Sequence, residues 1–403
     1  MRNLILFDDE TREHLVPLTH TRPASLLRCG ILTIQEKWEA YLEGKASFIT
    51  SEYLTGKYPI VIHDDENLVI NGTMFPNSRL IKLIRELKPN QALTSEGDLV
   101  AANIPGEEFD AIIDGTFGQE IAGYQLSETK VSQIRRNWDL LRYCKDELQC
   151  DFDLLTRQRT SQGLDSTNTV TGGGDLFVEQ GASVSCSIFN THNGPVYIGK
   201  DVLIMEGCSI RGPVAICEGA VLKMGTKLYG PVVLGPYAKV GGEINHSIVM
   251  GYSNKSHDGY LGNSIIGEWC NLGAGTNVSN LKNNYSDVRM WNYVEQRFED
   301  TGQQFLGIVM GDHTKCGINT MFNTGTVIGV SANVFGTGYP RNFIPSFAWG
   351  GPSAWQTFNL DKAIDLATLV MERRGISFSE SDRAILGHIY QISAPYRTWE
   401  KKG

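Results

Sequence analysis

The stretch Ile198-Gly-Lys-Asp-Val202-Leu-Ile204-Met-Glu-Gly-Cys208-Ser-Ile210-Arg-Gly-Pro-Val214-Ala-Ile216-Cys-Glu-Gly-Ala220-Val-Leu222-Lys-Met-Gly-Thr226-Lys-Leu228-Tyr-Gly-Pro-Val232-Val-Leu234-Gly-Pro-Tyr-Ala238-Lys-Val240 decides the fold. Every sixth position, from Ile198 through Ile204, Ile210, Ile216, Leu222, Leu228 and Leu234 to Val240, is aliphatic. Four residues after each stand Val202, Cys208, Val214, Ala220, Thr226, Val232, Ala238 and Ile244, which are small or β-branched with few exceptions. A sandwich strand alternates with period two and an amphipathic helix with period 3.6, so a period of six fits neither. It fits a parallel β-helix. Each hexapeptide makes one short strand and one corner; the aliphatic residue points inward, and the residue four later occupies a crowded corner. Three hexapeptides close a triangular coil, and coils stack about 4.8 Å apart by parallel pairing.

Outward from this stretch the series begins at Val178 and Val184 and breaks over Asn190–Tyr197. Past Val240 it slips by two residues, and the count of sixes resumes at Ile248, Tyr260, Ile266, Leu272 and Val278. After a long insertion it resumes again at Met310, Cys316, Phe322, Ile328 and Val334. Three domains are therefore expected: residues 1–165 as an α/β domain, 166–340 as the β-helix, and 341–403 as a helical extension. In the first, Asn3–Phe7 and Leu68–Asn71 read as strands, Ile31–Leu42 as a helix, and Asn77 as the cap of a helix reaching Leu87. Gln133–Leu155 is predicted to be a bridging helix. Asp361–Arg374 and Glu380–Ile392 are predicted helices of the tail.

Composition narrows the function. The 403 residues carry a net charge of −9, with 41% hydrophobic and 20% charged residues. A nucleic-acid binder would present a basic face, so that partner is not expected. There is no apolar run long enough to span a membrane, and the start MRNLILFDDE turns acidic where a secretory segment would stay apolar. The eight cysteines form no CxxC pair. A cytoplasmic protein with reduced thiols is the expectation. Cys208, Cys217, Cys270 and Cys316, which lie inside the repeat, read as buried packing thiols.

Chemistry is expected where the repeat rule fails. In the count of sixes, Asn254–Gly259 places Asn254 at an inward position and Asp258 at a small one, and departures of this kind inside a regular scaffold mark functional sites. His257 points away from the core in that frame, with Lys255, Asp258, Tyr260, Asn271, Asn280 and Lys282 around it. The run Leu272-Gly-Ala274-Gly-Thr276 is expected to offer backbone N–H groups nearby. The residues alone leave two readings of His257, a general base near neutral pH or a surface loop histidine. His246, His257 and His313 lack the spacing of the metal site that γ-carbonic anhydrases build between coils.

His257-Asp-Gly-Tyr260-Leu-Gly262, followed by Ile266-Gly-Glu-Trp-Cys-Asn271-Leu-Gly-Ala274-Gly-Thr276, resembles the acetyltransferase domain of the GlmU family, the UDP-N-acetylglucosamine diphosphorylases and glucosamine-1-phosphate N-acetyltransferases. The resemblance implies a left-handed β-helix, a homotrimer and acetyl-CoA as co-substrate. It implies His257 as general base, Tyr260 and Asn271 as contacts of an amino-sugar phosphate, and Asn280 and Ala274 beside acetyl-CoA. One family lysine aligns with Asn245; the later one has no clear match, and Lys255 or Lys282 is expected to replace it.

The first domain resembles a divergent group of GlmU-like sugar nucleotidyltransferases with an altered start. Asp8 and Asp9 stand where the family's phosphate-loop glycines would be, and Ile70-Asn71-Gly72-Thr73 carries Thr73 where a Gly-Asp pair is expected. Arg12 and Arg22 are the candidates to grip the phosphates of UTP or dTTP, and Asp8 and Asp9 the candidates to hold Mg2+; the same carboxylates also read as solvated loop residues. The alternative to an enzyme is a non-catalytic trimeric scaffold that binds a sugar nucleotide.

Overall fold

The six-residue period closes into three parallel sheets around one interior. The computed structural model describes residues 2–109, 122–125, 131–173 and 175–402. The first sheet climbs from Thr169–Thr171 through Ile188–Asn190, Ser209–Arg211, Lys227–Tyr229 and Glu243–Asn245 to Tyr260–Gly262. The second has nine strands, from Leu176–Val178 to Phe343–Ile344, and the third ten, from Ser183–Val184 to Ala354–Thr357. Pairing is parallel and in register along each stack, as in Ile210↔Leu228, Leu228↔Ile244 and Ile244↔Leu261. At the far end Ala348–Gly351 and Ala354–Thr357 form an antiparallel hairpin. The interior rows stack like on like: Ile198, Ile216, Leu234, Val249 and Ile266 are all fully buried. Each such aliphatic contributes on the order of 1.5–3 kcal/mol by leaving water.

The register beyond Val240 differs from the count of sixes. Ile244, counted as a corner residue, is the inward residue stacked between Leu228 and Leu261. The inward series then runs Val249, Lys255, Leu261, Ile266, Leu272 and Val278, so Ile248, Asn254 and Tyr260 each lie one residue off the interior. Corners there are shorter than the repeat: Ile244 follows Val240 by four residues and Val249 follows Ile244 by five. Ile248 is misleading for a physical reason. The outer face of the second sheet is buried as well, with Ala215, Val233, Ile248, Ile265, Val309 and Val327 all at 0% exposure. Apolar residues therefore stand on both sides of these strands, and hydrophobicity cannot say which side is the interior.

The chain divides into two compact units. One comprises Met1–Leu15, Arg22–Leu27 and Leu32–Arg136; the other comprises Val16–Thr21, Arg28–Ile31 and Asn137–Gly403. The division falls near residue 136, ahead of the boundary expected at 165, because the helix Asp139–Thr156 belongs with the β-helix. The short segments Val16–Thr21 and Arg28–Ile31 belong there too: Thr21 Oγ1 donates to Asp312 Oδ2 at 2.7 Å, and Cys217 Sγ donates to Ile31 O at 3.6 Å. The tail is in the same unit. Its helices Leu360–Glu372 and Glu380–Ile392 are capped by Asn359, and by Ser379 with Asp382 in a reciprocal capping box. Arg374 Nη2 donates to Asn254 Oδ1 at 3.1 Å, which ties the tail to the outer face of the third sheet.

In the first unit Asn3–Phe7 pairs in parallel with Ala46–Ile49 and Glu66–Asn71. Antiparallel Asp98–Pro105 and Gln91–Ser95, and then Ala122–Gln125, extend this into a six-stranded mixed sheet. Helices Ile34–Leu42 and Ser78–Glu86 start at Thr33 and Asn77, whose side chains accept from Glu36 N and Leu80 N. The domain is α/β, as the sequence predicts. Cys208, Cys217, Cys270 and Cys316 are buried thiols, and no disulfide joins cysteines among the described residues.

Candidate active site

Lys255 is the unusual residue of the interior. It stacks on Val240 in the third sheet, below Leu272, in a row that is otherwise apolar, and is 1% exposed. Its amine reaches the edge of the interior and donates to Gly241 O at 3.2 Å and to His257 O. Burial pulls its pKa down to about 8, against the nearby Asp258 carboxylate, which raises it. The expected role of Lys255 as a surface contact for a sugar phosphate is thereby corrected: the amine is spent on two carbonyls inside the coil. What it holds is the bend carrying His257.

His257 is exposed on the corner between the third and first sheets, and its imidazole makes no hydrogen bond among the described residues. The next corner up sits directly on this one. Gly275 N donates to Asp258 O at 3.0 Å, and a Cβ on Gly259 would lie 2.1 Å from Thr276 O. The run Leu272–Thr276 does not offer a free set of amides. Gly273 N donates to Cys316 O, Gly275 N to Asp258 O and Thr276 N to Gly273 O. Its glycines serve stacking: a Cβ on Gly273 would fall 2.5 Å from the Gly317 backbone, and Gly275 has φ +71 with Asn319 Oδ1 2.1 Å from where a Cβ would be. Ala274 lies in this corner and accepts from Asn319 N at 2.7 Å.

Tyr260 opens the strand after the corner and faces outward from the first sheet, half-buried. Asn280 Nδ2 donates to Tyr260 Oη at 3.1 Å and to Asn263 Oδ1 at 2.7 Å. Asn263 Nδ2 lies 3.3 Å from His246 Nδ1, and His246 Nε2 lies 3.0 Å from Leu141 O. The carbonyl can only accept, so Nε2 carries the proton and Nδ1 accepts from Asn263. Beside Tyr260 in the same face, Tyr229 Oη donates to Glu243 Oε1 at 2.6 Å. Burial and the neighbouring Tyr229 raise the Tyr260 pKa, so its hydroxyl stays a donor as well as an acceptor. Sequence reasoning singled out Tyr260 and Asn280 but missed Asn263, Glu243 and Tyr229, and treated His246 only as a metal candidate. A signal was available: His246, Asn263 and Asn280 are spaced by 17 residues, the length of one coil here.

The other expected residues lie apart from this chain of amides. Asn271 is exposed on the third sheet, and its Oδ1 is 3.5 Å from Asn254 Nδ2. It stands on the opposite side of the His257 corner from Tyr260. The Lys282 amine donates to Asp287 O at 2.5 Å, within the insertion.

In the first unit the four singled-out residues are Asp8, Asp9, Arg12 and Arg22. Asp8 accepts from Ala24 N at 2.9 Å and from Thr50 Oγ1 at 2.6 Å, and faces Arg12 Nε at 3.4 Å. Burial lifts its pKa to about 6, opposed by the Thr50 hydrogen bond and the Arg12 charge. Asp9 accepts from Thr11 N at 2.9 Å and from Asn71 Nδ2 at 2.7 Å. Asn71 Oδ1 in turn accepts from Thr73 N and Thr73 Oγ1. Arg12 is buried and also donates to Glu13 Oε1 and Tyr53 Oη. Arg22 is buried too. Mg2+ needs several oxygens free to turn toward it. These carboxylates are committed elsewhere, a guanidinium stands beside Asp8, and among the described residues no group of three or more His, Cys, Asp or Glu converges. The residues present do not fit the metal.

Comparison with other proteins agrees with this two-part organisation. Residues 4–160 match a sequence family described as "Sugar nucleotidyl transferase". The chain is 33% identical over 152 residues to the bifunctional sugar-1-phosphate nucleotidylyltransferase/acetyltransferase of Sulfurisphaera tokodaii, a match covering 33% of this chain and 37% of that protein. It is 26% identical over 315 residues to the bifunctional protein GlmU of Methanocaldococcus jannaschii, covering 74% of this chain and 68% of that one. The solved UDP-N-acetylglucosamine acyltransferase of Francisella novicida overlaps 57% of this chain and 77% of its own at 10% identity and a TM-score of 0.23. The chain thus spans little more than a third of the first of these relatives and about two thirds of the second. Residues 4–160 thus match a sugar nucleotidyl transferase family, and the chain is similar to bifunctional GlmU over about three quarters of its length.

Proposed function

We propose that the β-helix unit transfers an acetyl group from acetyl-CoA to the amine of an amino-sugar phosphate, with His257 as general base. The observation that carries this is the corner itself: an exposed imidazole with no hydrogen-bond partner among the described residues, on a bend whose carbonyl is held by the buried Lys255, beside a tyrosine oriented through Asn280 and Asn263. In the reaction the amine nitrogen attacks the thioester carbonyl, the N–C bond forms, and the C–S bond breaks as the CoA thiolate leaves. The proton shed by the nitrogen passes to His257, an effect worth about 10²–10⁴ in rate for a positioned base. Tyr260 presents a hydroxyl suited to a sugar oxygen, Asn271 flanks the corner from the other face, and Asn280, bonded to Tyr260 Oη, stands toward the acetyl group. Ala274 lies in the corner stacked on the His257 bend, beside the acetyl group's position. A homotrimer would bring this corner against a neighbouring copy.

The reading for the first unit is nucleotidyl transfer from UTP or dTTP to a sugar phosphate, supported by the family match over residues 4–160. No step of it is routed through Asp8 and Asp9.

Release of CoA thiol from acetyl-CoA, measured with glucosamine-1-phosphate and a panel of related amino sugars, tests the first proposal. Turnover with at least one amine is expected. No turnover with any amine, together with no CoA binding, sinks it in favour of a sugar-nucleotide-binding scaffold. For the first unit, pyrophosphate release from UTP or dTTP with a sugar-1-phosphate is expected, and its absence leaves acetyl transfer alone.

A further inference from the structure

The last coils, the insertion and the tail enclose a cavity of about 700 Å³ that none of the chemistry above uses. Ligand pockets for molecules of nucleotide size run from about 300 to 1,000 Å³. Its walls are aromatic: Trp291, Phe343, Trp355, Tyr396 and Trp399 all line it. They form two stacked platforms. Trp291 lies on Phe343 with centroids 4.3 Å apart and planes 13° from parallel, and Trp355 on Trp399 at 6.1 Å and 19°. The charged lining residues are Lys282, Arg289 and Arg341, with no carboxylate among the cavity's lining. That is a local excess of positive charge in a chain of net charge −9.

The cations differ in how far they are engaged. Arg289 Nη2 donates to Phe298 O at 2.7 Å, and its Nε faces Asp300 at 3.3 Å. Arg341 is exposed and makes no hydrogen bond or ion pair with the described residues. The Trp291 indole N–H is buried and meets no acceptor among the described residues, a donor that costs free energy until something accepts from it. Flat aromatic walls attract a flat ring, at about 1–3 kcal/mol per stacked base. Guanidinium and ammonium groups at the same opening select an oxyanion on that ring's substituent, phosphate above all.

We infer that this cavity binds a nucleoside phosphate, the base between the aromatic platforms and the phosphates toward Arg341 and Lys282. The assignment is independent of the role given to His257. A free nucleotide and the nucleotide end of an acyl carrier share this chemistry.

Calorimetric titration of the full chain with ATP, UTP, coenzyme A, adenosine and inorganic pyrophosphate tests it, each against wild type, Arg341→Glu and Trp355→Ala. A phosphorylated nucleoside is expected to bind at least tenfold more tightly than adenosine or pyrophosphate, and to lose at least tenfold in each variant while the thermal midpoint stays put. ATP or UTP behaving in this way identifies a free nucleotide; coenzyme A alone doing so identifies the carrier. Binding that is unchanged in both folded variants, or no binding by any of the three, overturns the inference. Should Trp355→Ala unfold, Arg341→Glu decides it alone, since Arg341 is exposed.

Discussion

Gly262 shows how little room the site leaves. A Cβ placed there would lie 2.4 Å from Tyr260 Oη and 2.8 Å from Asn280 Nδ2, because the tyrosine ring folds back across its own strand to meet the asparagine. Gly262→Ala should push Tyr260 off Asn280 and raise KM for the amino-sugar phosphate by about tenfold, the effect of losing roughly one good hydrogen bond, with a small change in kcat. Steady-state kinetics with both substrates varied separates this from a general loss of folding, which would lower kcat without moving KM. At this scale the sequence singled out His257, Tyr260 and Asn280, which stand close together along the chain. Asn263, Glu243 and Tyr229 were not, because their partners lie one or more coils away and meet only after stacking. Lys255 was misplaced by a single residue, which in a strand exchanges inside for outside.

The element that matters most is the bend after Asn254–Lys255. A buried ammonium holds it, and the depressed pKa fixes the sign of a pH effect. The folded pKa of about 8 lies below the ordinary 10.5, so between those values the unfolded chain binds more protons, and stability rises with pH across that window. Lys255→Met should therefore raise the denaturation midpoint at pH 7, and the gain should shrink as the pH approaches 10.5. Acetyl transfer should fall in the same variant, because the His257 carbonyl loses its donor. Denaturant titrations at pH 7 and pH 10 check the first part; a gain that does not depend on pH would contradict it. The corners near this bend also explain the slipped count. Steps of four and five residues from Val240 to Ile244 to Val249 break the period where the outer face of the second sheet is itself buried. Hydrophobicity alone then gives no register.

For the molecule as a whole, two units carry different kinds of polar interior. The β-helix interior is almost entirely aliphatic, and eight consecutive sixes made it legible. The first unit buries the Asp8 and Arg12 side chains and Asn71 beside half-buried Tyr53 and Thr50, and nothing in the chain's periodicity announces that set; it depends on strand ends meeting in space. The tail is held on the β-helix by contacts between distant residues, Arg374 on Asn254, Tyr390 on Phe347 and Trp399 on Trp355, and no periodicity announces those pairings. Removing one member of the buried pair should be costly. Arg12→Met leaves the Asp8 carboxylate buried beside Tyr53 and should destabilise the first unit by about 3–5 kcal/mol at pH 7.5. The sign with pH follows from Asp8. Its pKa is already raised to about 6 and would rise further without the guanidinium, so at pH 5 the carboxyl is neutral and the loss should be smaller. Equal losses at the two pH values would show that the pair is not what Arg12 supplies.

The most direct test of the account is the rate of CoA release by the purified full chain and by His257→Ala, with acetyl-CoA and the best amino-sugar phosphate acceptor, alongside thermal unfolding of both proteins. The account predicts turnover by the wild type, a loss of about 10²–10⁴ in kcat in the variant, and matching unfolding midpoints. A folded His257→Ala protein that turns over at close to the wild-type rate would contradict it.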